Sequence, residues 1–354
     1  MLNHQHNATR TLQDGCPARY PLLLCAMCCV LCAVVGCAHV PPHASLPSPK
    51  PLPAELQAYY ADLDKPQAVT RQLVAEHDTY RQWLIRFPLS VEGFTPTEPV
   101  VEFDWFESAR PGRRAAILVN PILGGDYPLE RDICQDFARH GFHVALIHRK
   151  TLKVSPEHPV DHVELLLRQG IVRIRQVVDW MAAHERVDSD RMGSFGISMG
   201  GIASVITAAV EPRLRCHVVS LAGGSIADIL ISSPDRLLAK PRQQYLARNH
   251  LTRDALADAL RDAIKTDPVL LAPYVDARHV LMVIGLFDHT IGRRHALRLW
   301  RALGRPEAVF VPLGHYTAYL ILPYLKFRSL RFFHTHLERP SSEPRASKTA
   351  AGAL

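Results

Sequence analysis

The chain has 354 residues, 47% of them hydrophobic and 21% charged, with a formal net charge of +7. That is enough apolar material for one large domain or two ordinary ones. Its basic residues are scattered through helical patterns instead of being gathered into runs interleaved with aromatics, so the excess charge does not point to nucleic-acid binding. Cys16, Cys25, Cys28, Cys29, Cys32 and Cys37 crowd the first 37 residues, and only Cys134 and Cys216 follow. This spacing supplies neither a disulfide framework nor paired metal ligands. No metal and no organic cofactor is expected, and Cys134 and Cys216 are expected as free thiols in the core.

Residues 21–36, PLLLCAMCCVLCAVVG, are apolar and uncharged and follow a polar stretch with Arg10 and Arg19, the layout of a signal peptide over 1–36. The run is short for the roughly 20 residues that span a bilayer. It ends in Val34-Val35-Gly36-Cys37, which resembles the lipobox of bacterial lipoproteins. That resemblance implies cleavage before Cys37 and a lipid on Cys37. With Ala38 beside it, it also implies an outer-membrane location facing the periplasm; an uncleaved anchor helix is the alternative. Six prolines between positions 41 and 53 predict an extended tether over 37–54.

From 55 to 88, Leu56, Tyr59, Tyr60, Leu63, Leu73, Trp83, Leu84 and Phe87 fall at mixed three- and four-residue spacing, which predicts an N-terminal helical extension over 55–97. Beyond it, strand-like runs at 100–106, 115–121, 143–148, 191–198, 216–224, 279–288 and 308–314 alternate with helical stretches. Such alternation, with strands apolar on both faces, predicts an α/β domain over 98–335. Its sheet should be mainly parallel and doubly wound, with helices on both faces. Residues 225–276 carry helical pattern without a strand and are expected to form a cap over the sheet's carboxyl edge, where sites in such folds lie. The polar segment 336–354 is expected to be a disordered tail.

Gly196-Ile197-Ser198-Met199-Gly200 matches G-x-S-x-G between an apolar strand and a helical run. The chemistry needs glycine at those two places because the strand-to-helix turn is too tight for Cβ atoms. The turn then projects Ser198 and aims the Met199 N–H at a developing oxyanion. Asp288 ends one later strand and His315 follows the last one, so Ser, Asp and His occur in the order of the α/β-hydrolase fold, which the chain resembles from about residue 98 to 335. The resemblance implies Ser198 as nucleophile, His315 as general base and acid, and Asp288 as its orienting partner. The second oxyanion donor would come from Asn120-Pro121-Ile122-Leu123-Gly124-Gly125. Proline has no N–H, so Ile122 is the choice and Leu123 the alternative. Asp126 is expected in a turn, His148, Arg149 and Lys150 in a solvated basic loop, Asp267 in a turn before Pro268, and His289 after the wrong strand to act as base.

The expected activity is hydrolysis of a carboxylic ester through an acyl-enzyme by a carboxylesterase or lipase-like enzyme at the cell envelope. Small-molecule or lipid esters are the expected substrates, the membrane the expected partner through the lipid, and no nucleic acid is expected to bind. An acyltransferase or peptidase of the same fold, or a noncatalytic envelope-binding protein, is the alternative.

Overall fold

The computed structural model describes residues 37–61, 65–90, 99–124, 126–149 and 155–338. The apolar run that predicts a signal peptide lies outside the described residues, as do Gly125, Lys150 and positions 339–354. Among the described residues no helix is long and apolar enough to cross a membrane.

The strands are β1 (Ala38–Val40), β2 (Thr70–His77), β3 (Tyr80–Pro88), β4 (Val100–Ser108), β5 (Arg114–Asn120), β6 (His143–Ile147), β7 (Val187–Ile197), β8 (Leu214–Ser220), β9 (Val280–Gly285) and β10 (Glu307–Val311). They form one sheet in the order β1-β10-β9-β8-β7-β5-β6-β4-β3-β2. Strands β5 to β10 are parallel to one another. The two outer sets, β4-β3-β2 on one side and β1 on the other, are antiparallel additions. All seven strands predicted from residue 100 onward are present, as β4 to β10.

The parallel centre of the sheet is buried on both faces, and the two-residue period of a strand divides its side chains between them. In β9, Val280, Met282 and Ile284 enter one core while Leu281 and Val283 enter the other. The first core is covered by α3 (His162–Ala183), α4 (Met199–Val210) and α9 (Arg293–Ala302), the second by α2 (Pro128–Arg139) and α10 (Leu322–Leu337). Cys134 and Cys216 are buried free thiols in the second core, and burial pushes both thiols up. Between β8 and β9 the chain is helical: α5 (Ile226–Ser232), α6 (Arg236–Asn249), α7 (Arg253–Ala263) and the short α8 (Pro268–Leu271) occupy the interval predicted as a cap.

Two N-terminal expectations are overturned. The predicted helix over 55–97 is real only at α1 (Ala54–Tyr59); residues 70–88 are instead the hairpin β2–β3. Its loop is the pair Asp78-Thr79 between His77 and Tyr80, which lacks the glycine that marks a two-residue hairpin turn in sequence. Pairing with β4 decides the conformation: Ile85 and Phe87 are buried beside Phe103, with the Phe87 and Phe103 rings 6.2 Å apart. The proline-rich segment is laid along the domain and does not act as a free spacer. β1 pairs with β10, the His43 N–H donates to Arg305 O at 3.0 Å, and the Lys50 N–H donates to Pro273 O at 2.8 Å. Tyr60, at the end of α1, is fully buried with its hydroxyl 3.0 Å from Thr266 Oγ1.

Candidate active site

Strand β7 ends at Ile197 and α4 begins at Met199, so Ser198 makes the whole turn by itself. It does so at φ 57° and ψ −120°. This is the conformation of the first central residue of a type II′ turn, which suits glycine and strains any side chain. The turn is held by the Ser198 N–H donating to Ser220 O at 2.9 Å, and by the Ile202 N–H donating to Ser198 O at 3.0 Å. A Cβ on Gly196 would lie 2.1 Å from Gly200 O, and one on Gly200 would lie 2.1 Å from Asn120 O. Both glycines are therefore demanded by backbone packing, the second because the helix start sits directly on the end of β5.

His315 lies in the loop after β10 and Asp288 just beyond β9, both at the carboxyl edge that carries Ser198. His315 Nδ1 is 2.8 Å from Asp288 Oδ2, and Asp288 Oδ1 accepts the Ile291 N–H at 2.9 Å. Asp288 is 4% exposed. The carboxylate is thus fixed from both oxygens and holds the imidazole with Nε2 as the nitrogen left for other chemistry. Ser198 and His315 line one cavity of about 310 Å³, walled mostly by aliphatic side chains from the core, the cap and α10. A larger hollow of about 940 Å³ borders Lys50, Leu214, Arg215 and His279 at the opposite, amino edge of the strands and contains none of these groups.

Three comparisons with known proteins bear on this chain. No family model matches the chain. Uncharacterized proteins from two strains of Mycobacterium tuberculosis, CDC 1551 / Oshkosh and ATCC 25618 / H37Rv, are each 24% identical over 160 residues, 45% of this chain. The match spans 36% of those relatives' own length. Among solved structures, an acetyl xylan esterase from Paenibacillus sp. R4 matches with a TM-score of 0.62 and 17% identity, covering 80% of this chain and 92% of its own. Acetyl xylan esterase 1 from Thermoanaerobacterium sp. JW/SL YS485 matches at 0.56 and 15% identity, covering 78% and 98%. An acylaminoacyl peptidase from Pyrococcus horikoshii matches at 0.54 and 14% identity, covering 75% and 43%. The chain has the α/β-hydrolase fold.

Within that fold the oxyanion loop departs from expectation. The Ile122 N–H, the expected second donor, is already spent: it donates to Glu130 Oε1 at 2.8 Å, and Glu130 is buried on α2. Leu123 takes its place as the candidate, since it lines the cavity and follows the held peptide. Arg149 holds the same loop from the other side, donating through Nη2 to Pro121 O at 3.1 Å and Ile122 O at 2.6 Å. The residue expected in a solvated basic loop is therefore a brace for the oxyanion loop. Tyr127 links the brace to α2, its hydroxyl bonded to both the N–H and the carbonyl of Arg149.

Behind this loop His148 is enclosed by acids. Its Nδ1 lies 2.9 Å from Glu102 Oε1 and its Nε2 3.1 Å from Asp104 Oδ2, while Arg131 and Arg86 complete the group on Asp104 and Glu102. Burial alone would lower the His148 imidazole, but Asp104 and then Glu102 outweigh it and raise it above the ordinary histidine value. Burial would likewise raise Asp104 and Glu102, and His148 with the arginines brings both below the ordinary carboxyl range.

The cap meets the core beside His315. The Tyr316 hydroxyl donates to Asp235, whose other oxygen caps α6 by accepting the Leu237 N–H at 2.9 Å. The bond to Asp235, with some burial, pushes the Tyr316 phenol up to about 12. Asp235 thus ties the first turn of α6, a helix with no buried residue, to the neighbour of His315. Sequence reading misses Asp235 and Glu130 and places Arg149 in solvent; Asp235 announces itself only as a helix cap after Pro234. Other expectations concern residues outside the cavity. The Asp126 carbonyl accepts from Arg131, Asp267 caps α5 and α8 through the N–H groups of Ile226 and Val269, and His289 is exposed. Among the described residues no cluster of three or more His, Cys, Asp or Glu is arranged to hold a metal.

The strain at Ser198 has a measurable signature. Ser198→Gly should melt about 1–3 °C above Ser198→Ala, because glycine relaxes the turn by more than it gains in unfolded-chain entropy; equal or reversed melting temperatures would show an unstrained turn. The raised His148 value means that its stabilisation is complete below about pH 6.5 and lost as the pH rises through the folded value. The lowered carboxyls act the other way, full above about pH 4 and lost as the pH falls. His148→Gln should therefore reduce the melting temperature most near pH 5–6.5, with the deficit shrinking towards pH 9 in a thermal-melt series; a deficit constant across pH would contradict the charged state assigned to His148.

Proposed function

We propose that the protein is a serine hydrolase that cleaves a carboxylic ester through an acyl-enzyme. The observation that carries this reading is Ser198 held in a strained turn, sharing an apolar cavity with His315, whose far nitrogen is 2.8 Å from buried Asp288. His315 takes the Ser198 proton as Oγ attacks the ester carbonyl, then passes it to the departing alcohol, while Asp288 keeps the tautomer and offsets the imidazolium charge. Met199, in the first turn of α4 where N–H groups have no carbonyl within the helix, supplies one oxyanion donor and Leu123 the other. Acetyl xylan esterases are among the structures of the same fold, which accords with an ester as the substrate class.

The location is proposed on the sequence: the apolar run ending at Cys37 supports a lipid-anchored envelope protein. A fluorophosphonate probe should label the full-length chain at Ser198, and Ser198→Ala and His315→Ala should abolish labelling. Asp288→Asn should lower kcat by about 10⁴. Absence of labelling from folded protein would reject the hydrolase reading. For the anchor, Cys37→Ser should eliminate incorporation of radiolabelled palmitate and release the protein from the membrane fraction; unchanged incorporation would exclude Cys37 as the lipidated residue.

A further inference from the structure

A second apolar cavity, of about 390 Å³, opens beneath the cap. It contains neither Ser198 nor any residue of the His315 loop or α10, yet it shares walls with the first cavity: Leu123 and Met199 from the core, and Ile226, Leu230, Leu237 and Leu238 from the cap. Beyond those shared walls it runs between α3, through Val163, Leu166 and Leu167, and α7, through Leu256 and Leu260. Its one charged lining side chain, Arg242, is held against backbone, donating to Leu230 O at 2.7 Å and to Ser233 O at 3.0 Å. Ser155 and Tyr245 are the other polar residues of a lining that is otherwise aliphatic, so the cavity offers mainly apolar contact. Its size is within the range of about 300–1,000 Å³ usual for small-molecule sites.

We propose that this second cavity takes the acyl chain of a medium- to long-chain carboxylic ester, and that the first takes the alcohol. The assignment rests on the hydrolase reading above and follows from where the proton goes. Ser198 Oγ bonds to the carbonyl carbon and its proton passes to His315 Nε2; the carbon–alkoxy bond then breaks and His315 protonates the alkoxy oxygen. The leaving alcohol must therefore stay on the His315 side, where Tyr316, Thr290 and Asp235 also lie. The carbonyl, held by the Met199 N–H, sends its chain the other way, past the Met199 and Leu123 side chains that line both cavities. Water next attacks the acyl carbon and gives a proton to His315, the carbon–Oγ bond breaks, and Oγ recovers that proton, so ester plus water becomes acid plus alcohol. The site is thereby distinguished from one shaped for an acetyl group.

The cap helix α6 forms much of this roof and has little buried anchorage. It has no buried residue, and Pro241 inside it lacks the N–H that would bond back to Leu237 O. Leu237, on its first turn, is 59% exposed although it borders both cavities. A bound chain would bury it.

The test is a p-nitrophenyl ester series from acetyl to hexadecanoyl on the full-length protein, with Ser198 labelling by a small fluorophosphonate measured in parallel. The kcat/KM should climb about three- to fourfold per methylene to around octanoyl and then level off. Val163→Trp, which fills part of the second cavity and none of the first, should cut the decanoyl-to-acetyl ratio of kcat/KM by about 30-fold, and Leu260→Ala should move the plateau to longer chains. If Val163→Trp does not fold, the direction of the Leu260→Ala shift decides the matter. Labelling at Ser198 with a flat or acetyl-favouring profile, or variants that leave the ratio unchanged, would overturn the acyl assignment alone. No labelling of the wild type would overturn the hydrolase reading and this assignment with it.

Discussion

The contact on which the site depends is that of two backbones with nothing between them. The start of α4 rests on the end of β5 so closely that any atom at the Gly200 Cβ position would collide with Asn120 O, and the end of β7 meets Gly200 in the same way. This approach holds Ser198 in a conformation it would not choose, and brings the helix N–H groups and the loop after β5 to one point. Strain of about 1–3 kcal/mol in such a turn persists only where the surroundings overdetermine it. Here the surroundings are two buried parallel strands and a helix whose residues from Gly200 to Val210 are almost all buried.

Around that rigid centre the support is unequal. On the core side, each partner is tied by buried or partly buried polar contacts: Asp288 by Ile291, the oxyanion loop by Glu130 and Arg149, and the loop's backing by the His148 cluster. In the cap, α5 and α7 bury Ile226, Ile229, Leu256 and Leu260, whereas α6 is held by Asp235 at its start, by Arg242 in its middle and by leucines that are only partly covered. Elements with few buried contacts open at lower cost than the core. The division suits a site whose reacting groups stay fixed while its roof admits substrate.

Much of this was legible in the chain. Strands apolar on both faces cannot be satisfied except inside a doubly covered sheet, so the seven runs after residue 100 were readable one by one, and the order Ser198, Asp288, His315 followed their ends. The hairpin at 70–88 was not readable, because aromatic and aliphatic residues at mixed spacing serve either conformation, and the partner strand β4 that decides between them is remote from the turn. The Ile122 assignment failed for a related reason. A backbone N–H is available or not according to what faces it, and Glu130, eight residues on, announces itself in sequence only as a first-turn acid of α2. Arg149 was discounted for the same cause, since a basic residue after a strand looks solvated until its carbonyl partners are known.

The short strand β1 bears on how the molecule sits. It runs antiparallel to β10, with Ala38 opposite Phe310 and Val40 opposite Ala308. Cys37 therefore stands at the carboxyl end of the sheet, beside the strand terminus that leads into Gly314 and His315. Phe287, Tyr316, Tyr319 and Leu320, all more than half exposed, belong to that same end. Because the segment behind Cys37 is stitched to the domain from His43 to Tyr60, an attachment at residue 37 acts as a compass needle and not as a leash. Under the proposed lipid anchor at Cys37, the carboxyl end of the sheet, with these exposed apolar side chains, would be turned towards the lipid.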